Sequence, residues 1–451
     1  MTPGVDPARV AALLAREDAS FAARTPKSAA MRARAGASLP NAVPMQWMTS
    51  LYRTPPIYVA GGKGAVFTDI DDNDYTDFNV CDLSMTMGYG PAPIVKAVAD
   101  QVAQGAHFLL ATETAVEVAE LLAHRCGLPF WQFTTTASAA NVEVIRIART
   151  LTGRTKIIIF GGHYHGHVDE TMAYETNGQT EPSALGLTPG ASSQTVIVPF
   201  NDLPALEAAL SGGDVALVLT EPALTNCLLV HPGPGYLDGV RRLTAAKGTL
   251  LCMDEAHTFQ FAWGGLTRAW NVQTDFIVLG KGFGTGISFA LYGMSGDVAQ
   301  RFAALLDGID TGPAGIATGG TTYASALAVA AAKAALTDVL TPDGYSRLTA
   351  GGNYLADGLE AIFARAGLPW RAFRLGPRTG WCLTPDLPRN GRETKPSFDL
   401  EMIAARRVFM ANRGVWEAIW SAGTQVSFVH EQADLDRYLE LAEDFLAEVR
   451  G

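Results

Sequence analysis

The sequence predicts an α/β protein, a mostly parallel central sheet flanked by helices with a smaller α+β domain beside it. Five short apolar runs carry the prediction: KIIIF (156–160), TVIVPF (195–200), VALVLT (215–220), TLLCM (249–253) and FIVLG (276–280). Continuous runs of this length indicate strands buried on both faces, as parallel strands covered by helices are. Helical patterning alternates with these runs from about residue 90 onward. The third observation is bulk: 451 residues, 48% hydrophobic and 18% charged, describe a compact chain long enough for two to three domains.

Each element follows from its pattern. The first 40 residues or so carry helical spacing at Val10, Leu13 and Leu14. VFTDIDDNDYTDF (66–78) reads as a hairpin, because two β-prone runs flank the turn-forming Asp71-Asp72-Asn73-Asp74. APIVKAVADQV is a helix with Ile94, Val95, Val98 and Val102 on one face. NVEVIRIARTL is another, beginning near Val142, with Val144, Ile147, Ala148 and Leu151 in helical register and Gly153 placed to stop it. Beyond about residue 335 the chain is helix-rich and ends in LDRYLELAEDFLAEV, whose Leu435, Tyr438, Leu439, Ala442, Phe445, Leu446 and Val449 form an apolar stripe. The expected division is an N-terminal segment 1–75 packing with the small domain, a large ligand-binding domain 76–335 and a small C-terminal domain 336–451.

Charge and cysteine usage narrow the function classes. With 34 basic against 45 acidic residues the net charge is −11, and no Lys/Arg run is present. Nucleic acid and anionic membranes both need a basic surface, so neither is an expected partner. Five scattered cysteines with no C-x-x-C pair read as reduced thiols. The N-terminus has no uncharged apolar core of the secretory kind, and no apolar stretch reaches membrane-spanning length. A cytoplasmic protein is expected.

In open parallel sheets ligands bind at the carboxyl ends of the strands. Here KIIIF is succeeded by GGHYHGHVDE, VALVLT by Glu221-Pro222, TLLCM by Asp254-Glu255-Ala256-His257, and FIVLG by Lys281. Lys281 sits in VLGKGFGTG, which lacks the spacing of a phosphate-binding P-loop and of a dinucleotide fingerprint. Alone it reads as a solvated lysine on a flexible turn. With Asp254 at the end of the neighbouring strand it meets the needs of pyridoxal phosphate: a covalent anchor, and an anion that keeps the ring nitrogen protonated. TTTASAAN (134–141) leads into a helix and either offers N–H groups to a phosphate or serves as a plain helix cap. In HYHGH (163–167), Tyr164 can stack on a planar ring with His165 beside it. A metal site is not expected, because no second cluster has ligand spacing.

Several segments resemble the class III (subgroup II) pyridoxal-phosphate aminotransferases, a group that includes glutamate-1-semialdehyde aminomutases and β-amino-acid and ω-amine transaminases. ARTLTGRTKIIIFGGHYHGHVDE is similar to the family's ARxxTGRxKIxxFxGxYHGxxD, CMDEAHT to its DEVxT, and DFIVLGKGFGTGISFALYG to its lysine segment. The resemblance implies the fold-type I PLP-dependent transferase architecture and a homodimer with shared active sites. It implies Lys281 as Schiff-base lysine and proton carrier, Asp254 as pyridinium partner, and Tyr164 stacked on the ring with Ala256 on its other face. His257 would reach the 3-oxygen, and Glu221 matches the Glu of an EP pair. Thr136, Ala137 and Ser138 would bind phosphate, although Ala139 replaces the family's glutamate, and Thr321 would reach the partner subunit's phosphate.

The implied reaction moves an amino group between an amine or amino acid and a keto acid. Carboxylate-clamping arginines sort substrates in such enzymes. LPNAVPMQWM (39–48) offers Met45, Trp47 and Met48 instead, an apolar wall, which leaves Arg378 as the one candidate clamp. The reading is therefore a transaminase for amines or amino acids of hydrophobic or β-amino type, with a 2,1-aminomutase of the glutamate-1-semialdehyde type as the alternative.

Overall fold

The computed structural model describes residues 3–50, 57–176, 178–188, 190–284, 286–306 and 315–450. The chain divides into two compact units. One comprises Ala92–Tyr345 with Pro388–Glu393; the other comprises Met1–Pro91, Ser346–Leu387 and Thr394–Gly451.

The first unit is built on a seven-stranded sheet. Its strands in chain order are β1 (Phe130–Thr134), β2 (Lys156–Phe160), β3 (Thr195–Val198), β4 (Val215–Thr220), β5 (Leu250–Asp254), β6 (Phe276–Leu279) and β7 (Ala290–Met294). The spatial order is β1-β7-β6-β5-β4-β2-β3. β3, β2, β4, β5 and β6 pair in parallel, whereas β7 runs antiparallel to both β6 and β1. Six strands thus point their carboxyl ends at one edge. The apolar runs form five of the strands; β1 and β7 lack such a run. β1 is an edge strand with Phe130 exposed, so its apolar run is interrupted. β7 is fully buried and contains Gly293, where a Cβ would come 2.8 Å from the Trp131 ring of the neighbouring strand.

Two helices of this unit show how local sequence sets the boundaries. Thr136 caps the helix Ala137–Thr152 by accepting from the Ala139 N–H, and Gly153 ends it in the left-handed region at φ 67°. The helix starts at Ala137 and not near Val142, because the small residues Ala137, Ala139 and Ala140 are good helix formers behind a threonine cap. Val144, Ile147 and Ala148 are buried against the sheet. In the helix Ala92–Gln104 only Ile94 of the expected face is buried; Val95 and Val102 are more than half exposed.

The terminal unit joins the two ends of the chain. The expected hairpin forms, Val66–Asp69 against Asp74–Asp77, and Val415–Trp416 adds a parallel strand beside it. Residues 76–91 belong here because Asp77 N–H bonds the Ala65 carbonyl and Gly64 exchanges hydrogen bonds with Tyr89. A second sheet holds Arg371–Leu375, Arg378–Cys382 and Thr424–Gln425. The helices Pro7–Arg24, Leu400–Ala411 and Gln432–Val449 bury Val10, Leu13, Leu14, Phe409, Tyr438 and Phe445 in a common core. The C-terminal stripe holds with one exchange: Leu441 is buried where Leu439 was expected and Leu439 is only partly covered. Among the described residues no helix is long and apolar enough to cross a membrane.

Candidate active site

Asp254 ends β5 and is 3% exposed. Its Oδ2 accepts from His165 Nδ1 at 2.8 Å and from Asn141 Nδ2 at 2.9 Å, and its Oδ1 accepts from the Ala256 N–H at 3.0 Å. Asn141 Nδ2 also donates to the His165 carbonyl at 3.1 Å. Three strand ends meet here: Asn141 lies on the helix after β1, His165 on the loop after β2, and Asp254 on β5. An ionised carboxylate only accepts, so His165 carries a proton on Nδ1. Sequence reasoning gives Asn141 of the TASAAN run no role; an amide at the end of a small-residue run is the available signal.

The first turn of the helix Ala137–Thr152 touches two other loops. Ser138 Oγ accepts from the His167 N–H at 3.0 Å. That contact needs Gly166, which has φ +83° and where a Cβ would come 2.1 Å from Ser138 Oγ. On the other side, a Cβ at Gly280 would meet the Ala137 Cβ at 3.1 Å. The lysine turn therefore lies against the amino end of this helix, whose first N–H groups have no intrahelical acceptors and whose dipole favours an anion. Thr136 spends its Oγ1 on the cap, bonding the Ala139 N–H at 3.1 Å.

Lys281 opens a short 3-10 turn, Lys281–Gly284, directly after β6. It is half-buried and has φ 55°. A left-handed conformation at a residue with a side chain costs about 1–3 kcal/mol and collects at functional sites. Gln260 Nε2 donates to the Gly280 carbonyl at 3.2 Å, which steadies the turn from the β5 side. Within VLGKGFGTG, Thr285 lies outside the described residues.

Glu221, at the end of β4, and His257, after β5, are both buried and are joined through Thr225. Glu221 Oε2 accepts from the Thr225 N–H at 3.0 Å and from the Thr225 hydroxyl, and Thr225 Oγ1 lies 2.7 Å from His257 Nδ1. Burial pushes the Glu221 carboxyl above its ordinary value, with Asp254 adding to the rise and His165 and Thr225 opposing it. Sequence reasoning missed Thr225, because nothing in EPALTNC marks one hydroxyl as a bridge between two strand ends. The neighbouring Glu255 is structural, accepting from the N–H groups of Leu266 and Thr267, both at 2.7 Å.

Tyr164 is 44% exposed on the loop after β2, while His163 and His165 turn the other way and stack at 4.9 Å. Thr321 is exposed in the turn before the helix Ala326–Ala334; among the described residues nothing brings it to the Asp254 and Lys281 groups. That turn is tied down by the Gly319 N–H on Glu143 Oε1 at 2.6 Å. Trp47 and Met48 lie in the turn Gln46–Ser50 of the terminal unit, 46% and 36% exposed. Arg378 is fully buried in that same unit, and its guanidinium donates to the Gln425 amide oxygen, 3.1 Å from Nη2.

The strand-end set fits pyridoxal phosphate. It offers an anion at Asp254, a helix amino end flanked by hydroxyls, and a lysine on a strained turn. Three buried polar atoms around it, His165 Nε2, Asn141 Oδ1 and Gln260 Oε1, have no hydrogen-bond partner among the described residues.

Comparison with known proteins agrees with the geometry. Residues 48–371 match the aminotransferase class-III family. A glutamate-1-semialdehyde 2,1-aminomutase of Symbiobacterium thermophilum is 34% identical over 95% of this chain and 99% of its own. The structure of a glutamate-1-semialdehyde-aminomutase from Pseudomonas aeruginosa PAO1 in complex with PMP superposes with a TM-score of 0.95 at 34% identity, covering 99% of this chain and 100% of that one. A β-phenylalanine aminotransferase from Variovorax paradoxus superposes with a TM-score of 0.85 at 25% identity over 97% of each chain. The strand-end chemistry, the sheet order and the match along most of its length agree: this chain belongs to the class-III aminotransferase family.

Proposed function

We propose that the protein is a pyridoxal-phosphate-dependent transaminase for amines or amino acids of hydrophobic or β-amino type, with a keto acid or other carbonyl compound as acceptor. The observation that carries the reading is the buried Asp254 carboxylate, held by His165, Asn141 and the Ala256 N–H one strand away from Lys281. When bound, the cofactor supplies an electron sink that weakens the C–H bond beside the substrate nitrogen. Asp254 would hold a proton at the ring nitrogen. Lys281 would anchor the cofactor through Nζ and, once released, carry a proton to and from the substrate carbon. Thr136, Ala137 and Ser138 would bind the phosphate, Tyr164 and Ala256 would flank the ring, and His165, Glu221 and His257 would serve its polar surroundings.

A homodimer is part of this reading. Val95, Val102, Phe108, Leu109, Leu110 and Val116 are each about half exposed or more along two helices and their connection, an apolar strip of the kind that protein contacts cover. Thr321 would then reach the phosphate bound by the second copy. Cytoplasmic residence is supported by five unbridged cysteines.

For the substrate, the support is the absence of any basic residue between Leu39 and Ser50 and the exposure of Met45, Trp47 and Met48 there. Arg378, buried on Gln425, offers no support for a carboxylate clamp. The aminomutase reading is kept because two of the relatives named above bear that name. Lys281→Ala should abolish both the visible absorbance of the reconstituted protein and its turnover. A donor and acceptor panel then separates the readings: efficient isomerisation of glutamate 1-semialdehyde without an added acceptor would sink the transaminase reading.

A further inference from the structure

We infer that Thr225 is a positioning residue that, by donating its hydroxyl proton to the Glu221 carboxylate, holds the ring proton of His257 on Nδ1. The role rests on the cofactor reading above, because His257 acts there on the cofactor. The placement of Thr225 is tightly determined. Leu224 and Val230 exchange two backbone hydrogen bonds, at 3.0 and 2.9 Å, and close the short loop that carries Thr225. The Thr225 N–H and hydroxyl both converge on Glu221 Oε2. Thr225 is fully buried, and Glu221 and His257 are 3% and 4% exposed, so water does not compete for these bonds.

A hydroxyl has one proton and two lone pairs. With that proton on the Glu221 carboxylate, Thr225 Oγ1 presents a lone pair to His257 Nδ1 at 2.7 Å. Nδ1 must then be the protonated nitrogen, which leaves Nε2 as an acceptor. The direction of the chain is set by the charge of Glu221. If Glu221 took up a proton, it would donate to Thr225, whose hydroxyl would donate to Nδ1, and the ring proton would move to Nε2. The groups facing Glu221 are Thr225, Asn226, His165, Asp254 and Cys227. His257 shares its turn with Ala256, whose N–H bonds Asp254 Oδ1, so the turn that holds the ring-nitrogen partner also holds the oriented imidazole.

The test is a nitrogen-15 NMR measurement on histidine-labelled protein with and without pyridoxal phosphate, using His257→Gln to assign the signal. The expected result is the Nδ1–H form in wild type at neutral pH, retained in Thr225→Ser and lost in Thr225→Val. Cofactor affinity should follow, with the dissociation constant about 10-fold higher in Thr225→Val and unchanged in Thr225→Ser, about 1.4 kcal/mol. An Nε2–H form in wild type overturns the proposal with no variant needed. So does a Thr225→Val protein with the wild-type tautomer, or a serine variant that behaves like valine. The tautomer is read without cofactor, so a protein that stays colourless overturns the cofactor reading and leaves this measurement standing.

Discussion

Two buried glutamates of the terminal unit, Glu17 and Glu417, are held differently from the carboxylates at the strand ends of the sheet unit. In the terminal unit Glu17 accepts from Arg16 at 2.8 Å, Arg413 at 3.0 Å and Asn412 at 2.8 Å. Burial works against its charge, but Arg413, Arg16 and Asn412 outweigh it and hold its carboxyl below the ordinary value. Glu417 takes both oxygens to Arg406 Nε at 2.9 Å and one to the Tyr438 hydroxyl at 2.8 Å. In the sheet unit Asp254, Glu221 and Glu255 have imidazole, amide, hydroxyl and N–H donors, with no arginine or lysine among their described partners. A carboxylate neutralised by a guanidinium is finished as structure, whereas one held by neutral dipoles keeps a field for a ligand. Glu255, Asp69 and Asp77 mark the limit of that rule: Glu255 is spent on capping the turn at Gly265, Asp69 on Asn73 and Tyr75, and Asp77 on Tyr89 and the N–H groups of Asn79 and Val80. Position completes the distinction, since Asp254 sits at the strand edge beside His165 Nε2 and Asn141 Oδ1, which have no hydrogen-bond partner among the described residues.

The largest effect should come from breaking the contrast at Asp254. Asp254→Asn keeps the shape and removes the anion, and kcat should fall about 10²–10³-fold, as when a preorganised electrostatic group is deleted. Cofactor bound with an unchanged turnover number would show that the charge is not used. The counterpart, Glu17→Ala, should cost about 3 kcal/mol of stability by leaving Arg413 without its carboxylate. It should leave the visible absorbance of the bound cofactor as it is, which denaturation and spectroscopy read side by side. Gly166→Ala puts a Cβ into Ser138 Oγ at a left-handed φ. Fold stability should fall by about 1–3 kcal/mol from the left-handed φ alone, and cofactor affinity should weaken about 10-fold, roughly 1.4 kcal/mol, which dialysis against free cofactor measures.

The smallest effect is a pH response of the terminal unit. His430 stacks on Phe78 at 4.3 Å and its Nδ1 accepts from the Ser427 N–H at 2.8 Å, so the ring is needed neutral. Burial lowers its pKa from 6.5 to about 3. A folded-state pKa below the unfolded one means the contribution is complete above pH 6.5 and is lost as pH falls toward 3. Melting temperature should drop across that window, and the slope should flatten in His430→Phe. An unchanged slope in that variant would assign the response to other groups.

How much of the fold and of the candidate site is legible in the sequence depends on how local the signal is. The apolar runs at β2, β4, β5 and β6 declare themselves, because a strand covered on both faces has few polar residues to interrupt it, and β3 at the other edge keeps its run through the β-branched Val196, Ile197 and Val198. Since parallel strands expose their carboxyl ends at one edge, Glu221, Asp254 and Lys281 can be placed together by counting along the chain. β1 and β7 stay hidden: an edge strand is half solvated, and β7 comes after a glycine-rich turn and contains the Gly293 that Trp131 requires. The start of the helix at Ala137 is misjudged because a threonine cap and a phosphate loop look alike in sequence.

The amino acids by themselves determined the sheet class, the strand-end order of acids and lysine, and the family. Only the tertiary structure decided who holds whom: Asn141 and His165 on Asp254, Thr225 between Glu221 and His257, and Gly280 against Ala137. The reason is geometric. Burial pattern is written residue by residue along the chain, but a hydrogen bond about 3 Å long between residues some hundred positions apart depends on strand register and crossover, which no short stretch encodes.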